Sequence, residues 1–290
     1  MKTLKLITLF VVILAINSKA QDPKAGVLKP PKYPDGIYTK ENTHTRRAIP
    51  YTTLREADVM WSKRIWRAID LKEKINHPLY YPETPTNDRK SFFDVIKEAA
   101  VTNGTLTCFD DGTEIEFQKE LTKSEIESRL ESWDSTHEAD DPNNPGATII
   151  APIKKTVTSG DVMKYYVKED WFFDKQRSVL DVRIVGIMVI LAKKDEKTGD
   201  VVGFKPLFSF YFPEARPILA NAEVYMRHND AERRTFDDIF WKRMFSSYIL
   251  KESNVYDRYI SNYTNGLDAL LESEKIKTDI FNFEHDMWHF

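Results

Sequence analysis

Two histidines near the carboxyl end of the chain are the residues best spaced to hold a metal ion. His285 and His289 are four residues apart, so in a helix they lie on one face. With Asp286 after the first histidine, the segment differs in one residue type from the H-E-x-x-H pattern of zinc peptidases. A chain end frays and no third ligand is evident, so these histidines are weak candidates and we expect no metal cofactor.

The sequence carries no pattern for other enzyme chemistry. Cys108 is the only cysteine, which excludes a disulfide within the chain, and its alternating apolar surroundings favour packing in a strand. Glycine-rich phosphate loops and the G-x-S-x-G turn of hydrolases do not occur. The balance of 42 basic and 45 acidic residues gives no reason to expect a nucleic-acid partner. We therefore expect a protein that is not an enzyme.

The first 20 residues have the layout of a cleavable signal peptide. Lys2 and Lys5 precede an apolar run of about 11 residues, which is short for a membrane-spanning helix. Ser18 and Ala20 place small residues before a cut between Ala20 and Gln21. An uncleaved N-terminal anchor is the alternative. No later apolar run is long enough for a span, so we expect an exported protein with no direct membrane span.

Residues 21–52 form a second region with its own composition. Five prolines break any helix there, and apolar residues follow no pattern: Pro23, Pro30, Pro31, Pro34 and Pro50. We expect an extended arm. Either it is a spacer, or it lies on a partner and orders on binding.

Residues 53–290 are predicted to form one α+β domain, with an antiparallel sheet of about 4–6 strands flanked by helices from the N- and C-terminal parts. A capping box at Thr53 predicts a helix through Ile69, and the prolines of residues 76–82 predict an extended loop. The polar residues 134–147 are a candidate subdomain seam.

Periodicity and turn signals place the remaining elements. Further helices are predicted over residues 90–101, from Thr122 to about Trp133, after Thr235 and around Leu267 to Leu271. Asp110, Asp111 and Gly112 predict a hairpin between residues 105–109 and 113–117. Alternating apolar residues predict strands within 163–167, 180–190 and 202–212, with 218–225 as a further candidate.

Aromatic residues close to prolines and charges are the candidate partner contacts, because such residues are enriched in protein interfaces. Ordinary packing is the alternative for each one. The candidates are Trp61, Trp66, Tyr80, Tyr81 and Trp171.

Five segments, spread over most of the chain after the signal peptide, carry a resemblance to a known family. They are Ala57 to Arg67, Asn76 to Pro82, Tyr165 to Val185, Lys242 to Phe245 and Lys251 to Arg258. Together they resemble the GldN/PorN proteins of the Bacteroidota, and the first segment is the most specific.

The resemblance implies a periplasmic, non-enzymatic subunit of the type IX secretion system, which also serves gliding motility. Proteins of this family form a ring with the lipoprotein GldK/PorK and contact the inner-membrane motor protein GldM/PorM. No cysteine follows the apolar leader of this chain, so its own end offers no thiol for lipid attachment. The resemblance therefore implies self-association within a ring and attachment to the inner face of the outer membrane through the lipoprotein.

Two other functions stay open on the sequence alone. A periplasmic metal-dependent hydrolase would use His285 and His289 and would contain stoichiometric zinc. A soluble ligand-binding module would be a monomer with a closed pocket.

Overall fold

The structure is a computed structural model that describes residues 46–86, 89–134, 138–140, 148–150, 153–194, 201–225, 229 and 231–287. These residues belong to one compact unit. The predicted signal peptide with its cut at Ala20 and Gln21, the first part of the predicted arm, most of the candidate seam and His289 lie outside the described residues.

A seven-stranded sheet is the centre of the fold. Its strands are β1 (Val59–Asp70), β2 (Cys108–Asp110), β3 (Lys119–Glu120), β8 (Val162–Asp174), β9 (Val179–Lys194), β10 (Val201–Tyr211) and β11 (Tyr248–Glu252). They are arranged in the order β11-β1-β8-β9-β10-β2-β3, and every pair is antiparallel. The strands β4 (Glu131–Asp134) and β7 (Ile153–Thr156) form a separate pair, as do β5 (Glu138–Asp140) and β6 (Thr148–Ile150).

Helices from both halves of the described chain accompany this sheet. They are α1 (His77–Tyr80), α2 (Phe92–Lys97), α3 (Lys123–Leu130), α4 (Phe212–Leu219), α5 (Phe236–Trp241) and α6 (Leu267–Asp286). A π turn over Glu98–Thr102 extends α2, and 3-10 turns cover Glu56–Asp58, Lys74–Asn76, Ser159–Asp161 and Ile260–Asn262. The α+β class is confirmed, and the sheet has more strands than predicted.

The helices α1 to α5 bury one face of the sheet. Phe92 of α2 is fully buried, and its ring centre lies 5.0 Å from that of Tyr165 on β8 and 5.1 Å from that of Phe240 on α5. A ring contact of this kind adds about 0.5–1.5 kcal/mol beyond the burial of apolar area. These aromatic contacts join strands and helices from distant parts of the chain in one core.

The opposite face of the sheet has a smaller apolar cluster, covered by the loop before β3. Ile115 of this loop is buried against Met188 and Ile190 of β9, with Phe117 packed beside it. A Cβ atom at Gly186 would lie 2.9 Å from Ile115 Cγ2, so the glycine permits the close approach of the loop. The loop thereby brings its polar residues over the sheet.

The predicted helix from Thr53 to Ile69 is wrong, because this segment forms a 3-10 turn and then the long strand β1. Ile65, Ala68 and Ile69 are all fully buried, and Arg67 is also buried. A strand covered on both faces loses the alternation that marks a half-buried strand. Its apolar residues then match helical spacing by chance.

Three other local predictions need correction. Residues 77–80 form α1 rather than an extended loop, since Pro78 lies in the first helical turn, where a proline costs no hydrogen bond. The candidate strand 218–225 overlaps α4, although Glu223 forms one bridge to Thr235. The partner of β2 is Lys119–Glu120 rather than residues 113–117, because the chain between them leaves the sheet to cover its second face.

The capping box of α3 is confirmed and gives a pH-dependent prediction. Hydrogen bonds from the Thr122 backbone and hydroxyl, followed by one from Lys119, lower the pKa of Glu125 to about 2. A carboxylate with a depressed pKa in the folded state stabilises the protein above its unfolded pKa, and this contribution is lost as the pH falls. Glu125→Gln should therefore reduce the loss of stability between pH 4.5 and about 2.

The measurement is the urea midpoint of unfolding across that pH range. Glu127→Gln on the same helix lies outside the cap and is the matched control. For this variant we expect the urea midpoint to change with pH as it does in the wild type. If the urea midpoint of Glu125→Gln changes with pH as steeply as that of the wild type, the pH-dependent role of the cap is contradicted.

Candidate functional site

Of the candidate metal and nucleophile positions, the structure describes His285 and Cys108. His285 lies in the last turn of α6 and is exposed, with Nδ1 3.8 Å from Asp286 Oδ1. Among the described residues, no group of three or more side chains is arranged to hold a metal ion. Burial raises the pKa of the Cys108 thiol to about 12, so the thiolate needed for reaction is scarce at neutral pH.

Two of the predicted contact residues pack under the last helix. Trp61 and Trp171 are half-buried against the cluster of Ile65, Ile276 and Ile280. The ring centre of Trp61 lies 4.6 Å from that of Phe283 on α6. In this chain both tryptophans therefore help to fix α6 to the sheet, whatever they contact outside it.

A buried ionic cluster separates this region from the main core. Glu169 of β8 is fully buried, and its carboxylate accepts hydrogen bonds from Trp171 Nε1 at 3.0 Å and from Arg243 Nη2 at 3.1 Å. Arg67 Nε of β1 lies 3.1 Å from Oε2. Burial lowers the pKa of the Arg67 guanidinium, and the charge of Glu169 opposes this shift. One buried carboxylate therefore compensates the buried guanidinium of Arg67 and also that of Arg243, whose side chain is 27% exposed.

Trp66 points to the other face of the sheet, because successive residues of a strand alternate. Its ring centre lies 4.8 Å from Nζ of Lys251, a lysine with no exposed surface. Lys251 Nζ lies 2.7 Å from Glu114 Oε1 and 2.6 Å from Asp257 Oδ1. Trp66 thus belongs to a cluster that ties the loop around Glu114 and the loop after β11 to the sheet.

The loop after β11 is held in one conformation by its own polar groups. Asn254 Nδ2 donates to the carbonyl oxygens of Glu252 and Arg258 at 2.9 and 3.1 Å. Its Oδ1 accepts from the backbone N–H groups of Tyr256 and Arg258 at 3.1 and 3.3 Å. Val255 is 98% exposed and Tyr256 is 76% exposed at the tip of this loop.

The other two predicted contact residues lie at the end of α1. The ring centres of Tyr80 and Tyr81 are 4.8 Å apart in an edge-on arrangement. Tyr80 is half-buried and packs against the main core, whereas Tyr81 is exposed. Of the five predicted contacts, only Tyr81 is therefore exposed, at 48%, and the contact role of all five stays a prediction.

The described end of the predicted arm is attached to α4 and α5. The ring of Tyr51 lies between groups of the folded unit, with its centre 4.4 Å from Cζ of Arg216 and 5.4 Å from the ring centre of Trp241. Arg216 Nε in turn donates to Asp237 Oδ1 at 2.8 Å, and both side chains are buried. This attachment, which we call the arm anchor, comprises Tyr51, Arg216, Asp237 and Trp241.

Two arginines strengthen the attachment on either side of Tyr51. Arg46 Nη2 lies 2.8 Å from Asp238 Oδ1 on α5, and Arg183 Nη2 of β9 donates to the Thr52 carbonyl oxygen at 2.5 Å. Residues 46–52 form no helix or strand, yet side chains hold them to the fold. Sequence reasoning missed the anchor because its parts are far apart along the chain.

A comparison with protein-family models matches residues 54–289 to the family described as gliding motility associated protein GldN. The chain belongs to the GldN family. The match includes every strand and helix of the GldN fold described above and excludes the predicted arm, residues 21–52. A comparison with curated proteins found no match. In the described part of this GldN-family chain, no helix has the length and apolar character that a membrane span requires.

Proposed function

We propose that this GldN-family chain is a non-enzymatic structural subunit of the type IX secretion system, supporting protein secretion and gliding motility. It acts in the periplasm and forms a ring with a GldK/PorK-like outer-membrane lipoprotein. It also contacts a GldM/PorM-like inner-membrane motor protein, and the lipoprotein holds it at the inner face of the outer membrane. The observation that carries this proposal is the family match over residues 54–289.

The distribution of polar groups supports a structural role over a catalytic one. The most strongly buried charges are paired within the fold, as in the contacts of Glu169 with Arg67 and Arg243 and of Arg216 with Asp237. Catalytic groups instead face a cleft in which a substrate can reach them. The arrangement of these pairs suits a rigid part of a larger assembly.

The arm anchor is a second observation that supports the proposal. An extended segment that binds a partner gains affinity when its point of departure is fixed, because less freedom is lost on binding. Tyr51 and Arg46 fix residues 46–52 on α4 and α5. The arm is therefore suited to reach a neighbouring subunit from a defined position.

The test is recovery of the assembled complex from cells. A tagged full-length chain, crosslinked in the envelope fraction, is expected to co-purify with one GldK/PorK-like lipoprotein in fixed proportion and at a mass far above that of a monomer. A strain without the chain should stop exporting type IX substrates, and the restored chain should resume export. Recovery of the tagged chain alone as a monomer would overturn the proposal.

The same preparation separates the proposal from the hydrolase alternative. We expect no stoichiometric zinc in the purified chain. Zinc that is present at one ion per chain and lost in His285→Ala would support the hydrolase instead.

A further inference from the structure

We propose that the loop 253–258 and the first turns of α6 form one docking surface for a partner protein whose own contact surface is apolar and basic. We call this region the C-terminal docking surface. It comprises Val255, Tyr256, Tyr263, Leu267, Leu270 and Leu271. The inference rests on the proposed function as an assembly subunit and adds to it the surface and the chemistry of the partner.

Exposed apolar side chains are concentrated in this part of the molecule. Seven of the nineteen exposed large apolar side chains among the described residues lie within residues 255–281. Leu267, Leu270 and Leu271 are exposed on α6, while Ile276 and Ile280 on its other face are buried against the sheet. A helix with apolar residues on both faces uses one for its own fold and leaves the other for a partner.

The tip of the loop is held rigidly despite its exposure. Four hydrogen bonds to the Asn254 side chain fix the backbone on both sides of Val255 and Tyr256. The buried Lys251 holds Asp257 at 2.6 Å. A rigid apolar tip loses little entropy when it enters a pocket, which is how pre-organised contacts gain affinity.

The loop and the helix are joined by a stack of side chains. Cζ of Arg258 lies 4.8 Å from the ring centre of Tyr256 and 4.5 Å from that of Tyr263. Ile260, three residues before Tyr263, is buried in the same cluster as Ile276 and Ile280 of α6, which joins this segment to the helix. The exposed tyrosines and leucines therefore belong to one region.

The negative charge of the C-terminal docking surface indicates which chemistry a partner needs. From residue 253 to residue 274, which spans the loop and the first turns of α6, the chain carries four carboxylates and one basic residue, Arg258. The carboxylates are Asp257, Asp268, Glu272 and Glu274. Two copies of this acidic region would repel each other, as would the region and an anionic lipid surface. A protein with basic residues around an apolar pocket is the complementary partner.

The experiment places a photo-crosslinking amino acid at Tyr256 or at Leu271 of the tagged full-length chain in cells. The matched control places it at Val202, which is 68% exposed and lies on the sheet. We expect both test positions to form an adduct with the same non-self protein, on a peptide rich in lysine or arginine, and the control to form none with it. No adduct with that protein, or adducts only with a second copy of this chain, would overturn the inference.

Substitution gives an independent measurement on the same complex. Because both side chains are exposed, Tyr256→Glu with Leu271→Glu should keep the wild-type thermal midpoint yet lower the amount of retained partner by about tenfold or more. Val202→Glu should leave the thermal midpoint and the amount of retained partner unchanged. Retention at the wild-type level in the double variant would overturn the inference.

These outcomes also separate the inference from the proposed function. If the complex with the lipoprotein is recovered but the double variant and the crosslinks show no effect, the docking surface is wrong and the proposed function stands. If the wild-type chain is recovered only as a monomer, both are wrong.

Discussion

Replacing Glu169 with glutamine is expected to lower the free energy of unfolding by about 3–5 kcal/mol. The glutamine has nearly the same shape but no charge, so the buried guanidinium of Arg67 and the partly exposed guanidinium of Arg243 lose the carboxylate that compensates them. An unpaired charge away from water is far more costly than a lost surface contact. The measurement is the urea midpoint of unfolding, with the slope of the transition compared between the two proteins.

An exposed ion pair provides the control for this result. Lys123 and Glu127 on α3 are both exposed and lie 3.9 Å apart, so Glu127→Gln should change the free energy of unfolding by at most about 1 kcal/mol. Methionine at all three positions of the Glu169 cluster should recover much of the lost stability, because the apolar side chains leave no charge unpaired. A loss below about 1 kcal/mol for Glu169→Gln would show that the cluster is not buried as described.

The second large effect is expected at the arm anchor. Arg216→Met should lower the free energy of unfolding by about 3–5 kcal/mol, because it leaves Asp237 buried without its partner. The methionine also loses the charge that attracts the rings of Tyr51 and Trp241. The measurement is again the urea midpoint, with Arg55→Met as the control, because Arg55 is largely exposed.

A second variant separates the anchor from the ion pair beneath it. Tyr51→Ala keeps Arg216 and Asp237 together and should cost only about 1–2 kcal/mol, the value of one stacked ring with its cation contacts. It should also raise the rate of trypsin cleavage after Arg46 and Arg47, because residues 46–52 are then held by fewer contacts, such as those of Arg46 with Asp238 and of Arg183 with Thr52. Equal cleavage rates in Tyr51→Ala and the wild type would show that Tyr51 does not hold this segment.

The two clusters have a consequence for function. Arg67 and Glu169 lie where the main core ends and the region under α6 begins, so they set the position of the helix that carries the proposed docking surface. The arm anchor sets the position of residues 46–52, the described end of the predicted arm. Both are therefore expected to affect assembly through geometry, without touching a partner themselves.

Sequence reasoning was most successful where a signal is local. The alternating residues of β8, β9 and β10 predicted three strands, and the structure has them at those places. The hydroxyl residues Thr122 and Thr235 predicted helix starts, and both form capping boxes. Each of these signals depends on residues within a few positions of one another, which a sequence displays directly.

The same reasoning led to a wrong prediction where a strand is covered on both faces, because its residues then lack the alternation of apolar and polar types. In β1, Ile65 and the three successive residues from Arg67 to Ile69 are buried, so the strand resembled a helix. The strand β11 was not predicted, since its five residues show their role only when paired with β1. Leu267, Leu270 and Leu271 predicted the last helix but not their own exposure, because spacing alone does not tell which of two apolar stripes faces inward.

By itself the sequence determined the family, the α+β class, the main antiparallel strands and the helix caps. Only the tertiary structure decided which charges meet. Glu169 and Arg243 are 74 positions apart, and Glu114 and Lys251 are 137 positions apart. It also decided which apolar residues stay outside, as at Val255 and Leu271. The physical reason is that charge pairing and burial depend on distances in space between residues far apart along the chain. Those distances are set when the chain folds back on itself, and a local sequence pattern does not encode them.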